Sequence, residues 1–594
     1  MKKIKQKMKK WMLVGVSGAT ALAMGSVAFA QEMVKDPTTG KMIKAPQYGG
    51  QLAFAWPREP AHADAAWYGT ANTESVNLVI EKLGIGDWGI SRDKWDWKRQ
   101  THPGFAMTGL LAERFETPDP LTFIVHLRKG IHYHKKAPMN GRELIADDIV
   151  FNFHRTTGMG EFTEAGPTPH NPYANSKPFA SVTATDKYTV VFKFKKIDFF
   201  GRRYIADLSG EAFFMYPPEV IKENGNAQDW KKLVGTGPFE LTDWIKGSSL
   251  TFTKNPDYWR HDEKFPENRL PYVDKMKMLI IKDAATKMAA LRTGKLPVLR
   301  NLSLEEAENL WRTNPELNSD SSIFSRSTTS YAMDVRNPPF DNLRVRIAMQ
   351  KAIDIKALNQ ALFNGDALTD PEGLFGSAMV DYFVPFDEWP EDVKDNFGYD
   401  PAAAEKLLDE AGYRRAGGNG IRFKTTMLYF PNWDDMNVEY LQAAVSYWAK
   451  IGVEVELKTT DWPAWIPAIN DHTYKGMTWG ERGTDTVLPN YPRTHGFSDE
   501  TWNFPGLRDN KMDALVLAQE AATTFEEFVK WAKEGNAYYI SQMPEVWGPK
   551  PSVYHFWQPW LAGYNAEYLL SNRTLGLTYA RLWIDQELKE SMGH

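Results

Sequence analysis

Leu121–His134 reads LTFIVHLRKGIHYH, and its β-branched and aromatic residues alternate with polar ones at the period of a pleated strand. Lys129-Gly130 interrupts the alternation, which predicts two strands joined by a tight turn. Upstream, Leu111–Glu116 (LAERFE) leads into this run through a turn. Downstream, Asp147–Arg155 carries apolar residues at helical spacing. A further strand is predicted over Tyr188–Phe194 (YTVVFKF). Val345–Leu362 has the helical period, and Asp354 inside it is placed to cap a helix starting near Lys356. Ala402–Ala411 is a predicted helix with Asp400-Pro401 before it and Gly412 after it. Val438–Lys450, Gly452 and Val453–Leu457 read as helix, turn and strand. Short strands alternating with helices predict an α/β protein.

The chain has 594 residues, too many for one core, so at least two lobes are expected. Apolar residues make up 43% and charged residues 24%, the balance of a folded globular chain. Proline clusters at 167–172 and 544–559 read as loops. No long linker interrupts the sequence, so the lobes are expected to touch and share a cleft. With no cysteine, disulfides, thiol catalysis and Cys-ligated zinc or iron–sulfur clusters are excluded. The sequence holds no HExxH, G-x-S-x-G or G-x-x-x-x-G-K-[ST] pattern, so the common hydrolase and nucleotide signatures are absent.

The first ten residues hold six lysines, and no acid occurs before Glu32. An apolar stretch from Trp11 to Phe29 follows, ending in Ala28-Phe29-Ala30, the small-x-small pattern read by signal peptidase. Residues 1–30 are therefore expected to be a signal peptide, cleaved after Ala30, with 31–47 a mature leader. No lipobox cysteine is present, so a free rather than lipid-anchored periplasmic protein is expected. Removing residues 1–30 lowers the basic count from 70 to 64 against 75 acids. That acidic balance gives no reason to expect nucleic acid as a partner.

Several ordered stretches resemble the extracellular solute-binding proteins of family 5, the peptide/nickel-binding type. They are Gly49-Gly50-Gln51-Leu52, the run from Leu111 to His134 with Ala146–Phe151, Gly235-Thr236-Gly237-Pro238-Phe239 followed by Asn255-Pro256-Asp257-Tyr258-Trp259, Pro339-Phe340-Asp341-Asn342 with Val345–Met349, and Tyr399–Ala402 with Ala404–Leu408. Asp509–Leu515 extends the likeness. The resemblance depends most on the second and third of these. Gly235–Pro238 reads as a tight turn whose glycines supply positive φ. An insertion around Lys135–Glu143 and Gly294-Lys295-Leu296-Pro297 depart from the family pattern.

The resemblance implies a bilobal, periplasmic-binding-protein-like α/β fold of type II, with an extra subdomain in lobe I and a two-segment hinge. Lobe I is expected over 48–325 with 550–594 returning to it and a subdomain of about 59–205. Lobe II is expected over 330–545, with crossings near 325–333 and 545–553. The implied function is the periplasmic component of an ABC transporter, a monomer without cofactor or enzymatic activity. It would capture a peptide-like or other medium-sized polar solute and deliver it to the inner-membrane permease and its ATPase subunits. Oligosaccharide, opine-like conjugate and nickel chelate remain open as ligands, and a secreted hydrolase is the remote alternative. The stretch matching the ligand loop of peptide-binding relatives is Met477–Asp485. It makes Trp479, Glu481, Arg482 and Asp485 the ligand-binding candidates. Glu481 or Asp485 would pair with an α-ammonium, and Arg482 would pair with Glu481 or grip a carboxylate. His132 and His134, two apart on an expected strand, are the residues that a cation site would use, and no metal is expected there.

Overall fold

The computed structural model describes residues 32–67, 75–98, 102–168, 178–206, 213–323, 330–377, 379–417, 420–430, 435–480, 491–500, 502–568, 570 and 575–594. The expected signal peptide and its cleavage point lie outside them. The chain divides into a small unit and a large one. The small unit is an antiparallel hairpin of Met33–Lys35 with Met42–Lys44, turned where Gly40 has φ +69°.

In the large unit the strands that build the main sheets, in chain order, are β1 (Gln51–Trp56), β2 (Ala112–Asp119), β3 (Thr122–Leu127), β4 (Phe179–Asp186), β5 (Thr189–Phe194), β6 (Phe239–Ile245), β7 (Ser249–Lys254), β8 (Lys275–Ile280), β9 (Val298–Leu302), β10 (Asn318–Ile323), β11 (Ser330–Met333), β12 (Phe423–Tyr429), β13 (Val453–Thr459), β14 (Met477–Gly480), β15 (Glu545–Trp547) and β16 (Lys550–Trp557). Among the described residues they form four main sheets. Their orders are β6-β7-β8-β1, β2-β3-β5-β4, β9-β16-β10 and β13-β12-β14-β11-β15. Each sheet has its own apolar filling. Phe123, Val125 and Phe192 pack with Ile149 and Phe153 of the helix Ala146–Thr157. Met427, Met477 and Tyr331 pack with Tyr440 and Trp448 of the helix Asp435–Lys450.

The first quoted run folds as one strand, not two. Lys129-Gly130 does turn the chain, with Gly130 at φ +74°, but beyond it only the bridge His132↔Glu143 forms. The residues after the turn pair instead with the neighbouring insertion, Tyr133 N–H donating to Arg142 O at 2.9 Å and Leu144 N–H to Ile131 O at 2.8 Å. The predicted long helix over Val345–Leu362 is two, Leu343–Lys351 and Ile355–Phe363. Asp354 caps the second by accepting from Ala357 N–H. Asp400 caps Pro401–Glu410 in the same way.

The paired motifs Gly235–Phe239 and Asn255–Trp259 meet at one buried carboxylate. Glu81 is fully buried and accepts from Tyr258 OH at 2.7 Å, Thr236 Oγ1 at 2.8 Å and Trp259 Nε1 at 3.1 Å. Burial raises its pKa above the ordinary value, and those three donors oppose the rise. The glycines of the turn have no positive φ. They are needed because a Cβ at Gly235 or Gly237 would lie 2.0 or 2.7 Å from the Val79 carbonyl oxygen.

His134 ties the first motif to that turn. Its Nε2 is 2.9 Å from Gly237 O, and the ring is 2% exposed. Burial drives its pKa down from 6.5 to about 4, against the Gly237 bond that raises it. The ring is therefore neutral when folded and protonates more easily unfolded. Its contribution is complete above pH 6.5 and is lost as pH falls towards 4, by about 3 kcal/mol at most. We expect the melting temperature of the protein to fall between pH 6.5 and 4, and the fall to be shallower in His134→Asn. An unchanged slope in that variant would contradict this role.

Candidate functional site

In the sheet β13-β12-β14-β11-β15, strands β12, β13 and β14 run parallel, and β11 runs antiparallel to both β14 and β15. The carboxyl ends of β12, β13, β14 and β15 therefore share one edge with the amino end of β11. Ser330, the first residue of β11, lies opposite Gly480 on one side and Trp547 on the other. In α/β sheets this carboxyl edge is where ligands are received.

Both passages of the chain into the sheet β9-β16-β10 leave from this same edge. β10 ends at Ile323 and β11 begins at Ser330. β15 ends at Trp547 and β16 begins at Lys550. Gly548 in the second passage is fixed by close approach, since a Cβ there would lie 2.3 Å from the Tyr440 ring. Beyond it, Lys550 and Glu372 form a buried ion pair at 2.7 Å. Burial would raise the Glu372 pKa, yet Lys550 and the hydrogen bonds hold it below the ordinary value. Pro551 and Lys550 pair with Ala367-Leu368, and Ser552 onward pairs with β10. One strand thus belongs to both sides of the passage.

The site candidates are placed by β14. Trp479 is 2% exposed and stacks on Phe430 with ring centroids 5.5 Å apart and planes at 25°. Trp465 meets Phe430 edge-on at 5.0 Å and donates from Nε1 to Thr478 Oγ1 at 2.9 Å. The tryptophan of the motif is thus part of an aromatic layer beneath the edge, with Trp502 39% exposed nearby against Phe504. Glu481, Arg482 and Asp485 lie outside the described residues, and Gly480 is the last described position before them. Gly480 O accepts from Ser330 Oγ at 3.1 Å, and a Cβ on Gly480 would lie 2.5 Å from that Oγ and 3.3 Å from Glu545 Oε2. Gly480 itself is pinned by these neighbours.

Other segments far apart in sequence also meet. Phe199, at the start of the helix Phe199–Ala206, packs on Phe528 at 5.7 Å and Phe525 at 6.4 Å. Lys196 pairs with Glu520 at 3.0 Å. These contacts join the side carrying β2–β5 to the helices Asn510–Ala521 and Phe525–Ser541. His132 and His134 do not converge. His132 Nδ1 meets Gly141 O at 2.7 Å, and His134 faces Gly237. Among the described residues no group of three or more metal-ligating side chains occurs.

A model of the bacterial extracellular solute-binding proteins, family 5, matches residues 106–504. The chain belongs to this family. Its fold is the bilobal α/β fold expected from the sequence. Di/tripeptide-binding protein 1 of Pseudomonas aeruginosa is 29% identical over 515 residues, covering 84% of this chain and 88% of the relative. Heme-binding protein A of Haemophilus influenzae is 26% identical over 454 residues, 73% and 77% of the two chains. Among solved structures, the Helicobacter pylori ABC transporter-associated binding protein DppA with the peptide STSA superposes with a TM-score of 0.68 at 20% identity. That match covers 91% of this chain and 99% of the other. The chain is an extracellular solute-binding protein, and no helix among its described residues is long and apolar enough to cross a membrane.

Ser330, Glu545, Gly548 and Lys550 went unnoticed in the sequence. Gly548 alone carried a signal, a glycine inside a proline-rich strand passage. We expect Gly480→Ala of this family 5 protein to lose about 1–3 kcal/mol through the clash with Ser330. A urea midpoint equal to wild type would contradict the pinning of Gly480.

Proposed function

We propose that this protein captures a short peptide between its lobes and hands it to the permease of an ABC importer. The observation that carries the reading is the single edge at which Gly480, Ser330 and Trp547 lie side by side, the strand ends next to the candidate acids and to both passages. It is supported by 29% identity to a di/tripeptide-binding protein across 84% of the chain. A solute held there touches both lobes and resists their separation.

Lobe I comprises 48–325 and 550–594 with a subdomain of about 59–205, and lobe II comprises 330–545. The hinge is the pair of passages. Trp479 supports an apolar floor from below. Glu481 or Asp485 takes the peptide α-ammonium, whose burial without a partner would cost several kcal/mol. Arg482 balances those acids or meets a polar group of the solute. The protein is exported, cleaved after Ala30, and acts as a free periplasmic monomer that makes and breaks no covalent bond.

Thermal melting with a panel of di- and tripeptides tests the reading. A peptide that binds only the folded state, present at 100 times Kd, stabilises by about 2.7 kcal/mol and raises the melting temperature. Either Glu481→Ala or Asp485→Ala, whichever acid takes the ammonium, should abolish the rise without lowering the melting temperature of the unliganded protein. No rise with any peptide, alongside a rise with an oligosaccharide or metal chelate, would overturn the peptide assignment. In contrast, Trp479→Ala should destabilise the protein itself by about 3–5 kcal/mol, since it empties a buried position.

A further inference from the structure

The chain leaves β5 at Phe194, and its next few residues are fastened to the sheet β2-β3-β5-β4. Phe194 N–H donates to Leu121 O at 2.9 Å, and Lys195 N–H donates to Pro178 O at 3.0 Å. Phe199 then opens the helix Phe199–Ala206, whose first turn is secured by Asp198 accepting from Gly201 N–H at 2.7 Å. Arg202 holds the Phe199 ring from this side. Its guanidinium lies 5.1 Å from the ring centroid and donates to the Pro120 carbonyl between β2 and β3.

The ring has a second set of neighbours from far along the chain. Phe528, 6% exposed, is 5.7 Å away, and Phe525, 42% exposed, is 6.4 Å away at 62°. Both of these meet Tyr382 edge-on, at 6.3 and 6.4 Å, and Tyr382 lies 5.3 Å from Phe375. Phe199 thereby joins an apolar cluster whose other described members fall between Val335 and Trp547. Trp547 is the residue opposite Ser330 at the receiving edge. The cluster therefore runs from Phe199 to the edge where a solute is received. Beside the rings, Lys196 pairs with Glu520 at 3.0 Å, and Glu520 also meets Arg493 at 2.9 Å. Lys196 is exposed, so this pair adds little beyond orientation.

We propose that Phe199, set against Phe525 and Phe528, is a clasp between the lobes that favours their closed arrangement whatever solute is captured. The proposal rests on the lobe division given above and adds a contact that touches no ligand. Separating the lobes returns the facing sides of Phe199 and Phe525 to water, and closing them covers both again. The clasp raises the fraction of molecules in the arrangement competent to hold a solute, and apparent affinity scales with that fraction. Losing it weakens every solute by one common factor. Losing a ligand contact instead weakens solutes unequally, according to what each presents. The loss belongs mainly to dissociation, since the closed complex opens sooner.

Calorimetric titration and stopped-flow dissociation test it, on the wild type, Phe199→Ala, Phe525→Ala and the double variant. The probes are di- and tripeptides with unlike side chains that raise the melting temperature of the wild type. Phe199→Ala should lose about three- to tenfold in affinity, by the same factor for each peptide and through faster dissociation. Phe525→Ala should lose less, and the double variant should lose no more than Phe199→Ala, because both changes remove one contact. If Phe199→Ala lowers the melting temperature of the unliganded protein, Phe525→Ala, whose ring is exposed, decides. Unchanged or increased affinity in the folded variants, or losses that differ from peptide to peptide, would overturn the clasp and leave peptide capture standing. If no peptide binds the wild type, the peptide reading falls, and the same titrations with whichever oligosaccharide or metal chelate raises the melting temperature decide the clasp. Failure of all of these to bind would bring down both.

Discussion

Ser330 is hydrogen-bonded into a ladder between Gly480 and Trp547, and this pairing fixes where everything functional can be. One passage of the chain enters the sheet at Ser330 and the other leaves it at Trp547. Gly480, the last described residue before the candidate acids, lies opposite the first of these positions. Sequence-distant segments are brought to one edge by main-chain geometry alone, before any side chain contributes. Gly480 and Gly548 are the residues that permit it, each pressed against a neighbour that leaves no room for a Cβ.

Closure around a solute is limited by the solute's preference for the closed form. Micromolar affinity corresponds to about 8 kcal/mol in all, from which desolvation and lost mobility must be subtracted. Contacts made by the protein with itself therefore matter. Phe199 against Phe525 and Phe528, with Lys196 on Glu520, is one such contact between segments far apart in sequence. The exposed ion pair adds little. The aromatic contact is the larger part of what such a junction offers without ligand.

Much of the scaffold was legible because it follows local rules. Asp354 and Asp400 cap helices as their spacing indicates, and Gly130 and Gly452 turn the chain with positive φ. The failures came where distant chain decided the outcome. Gly235 and Gly237 look like turn glycines, but their cause is the Val79 carbonyl, over 150 positions away. Ile131–His134 has the pattern of a strand, yet its partner is the adjacent insertion and only a bridge forms. In the candidate site, the motif made Trp479 conspicuous, although its position in the aromatic layer depends on Phe430 and Trp465.

The central claim is that a solute holds two lobes together across a single edge. The chain has no cysteine, so two introduced ones can be labelled cleanly, at Lys246 in the turn between β6 and β7 and at Glu534 in the helix Phe525–Ser541. Single-molecule energy transfer between these sites should show a low-transfer population without ligand that is replaced by a high-transfer one as a bound di- or tripeptide is added. One unchanging population, at concentrations where calorimetry reports saturation, would contradict the account.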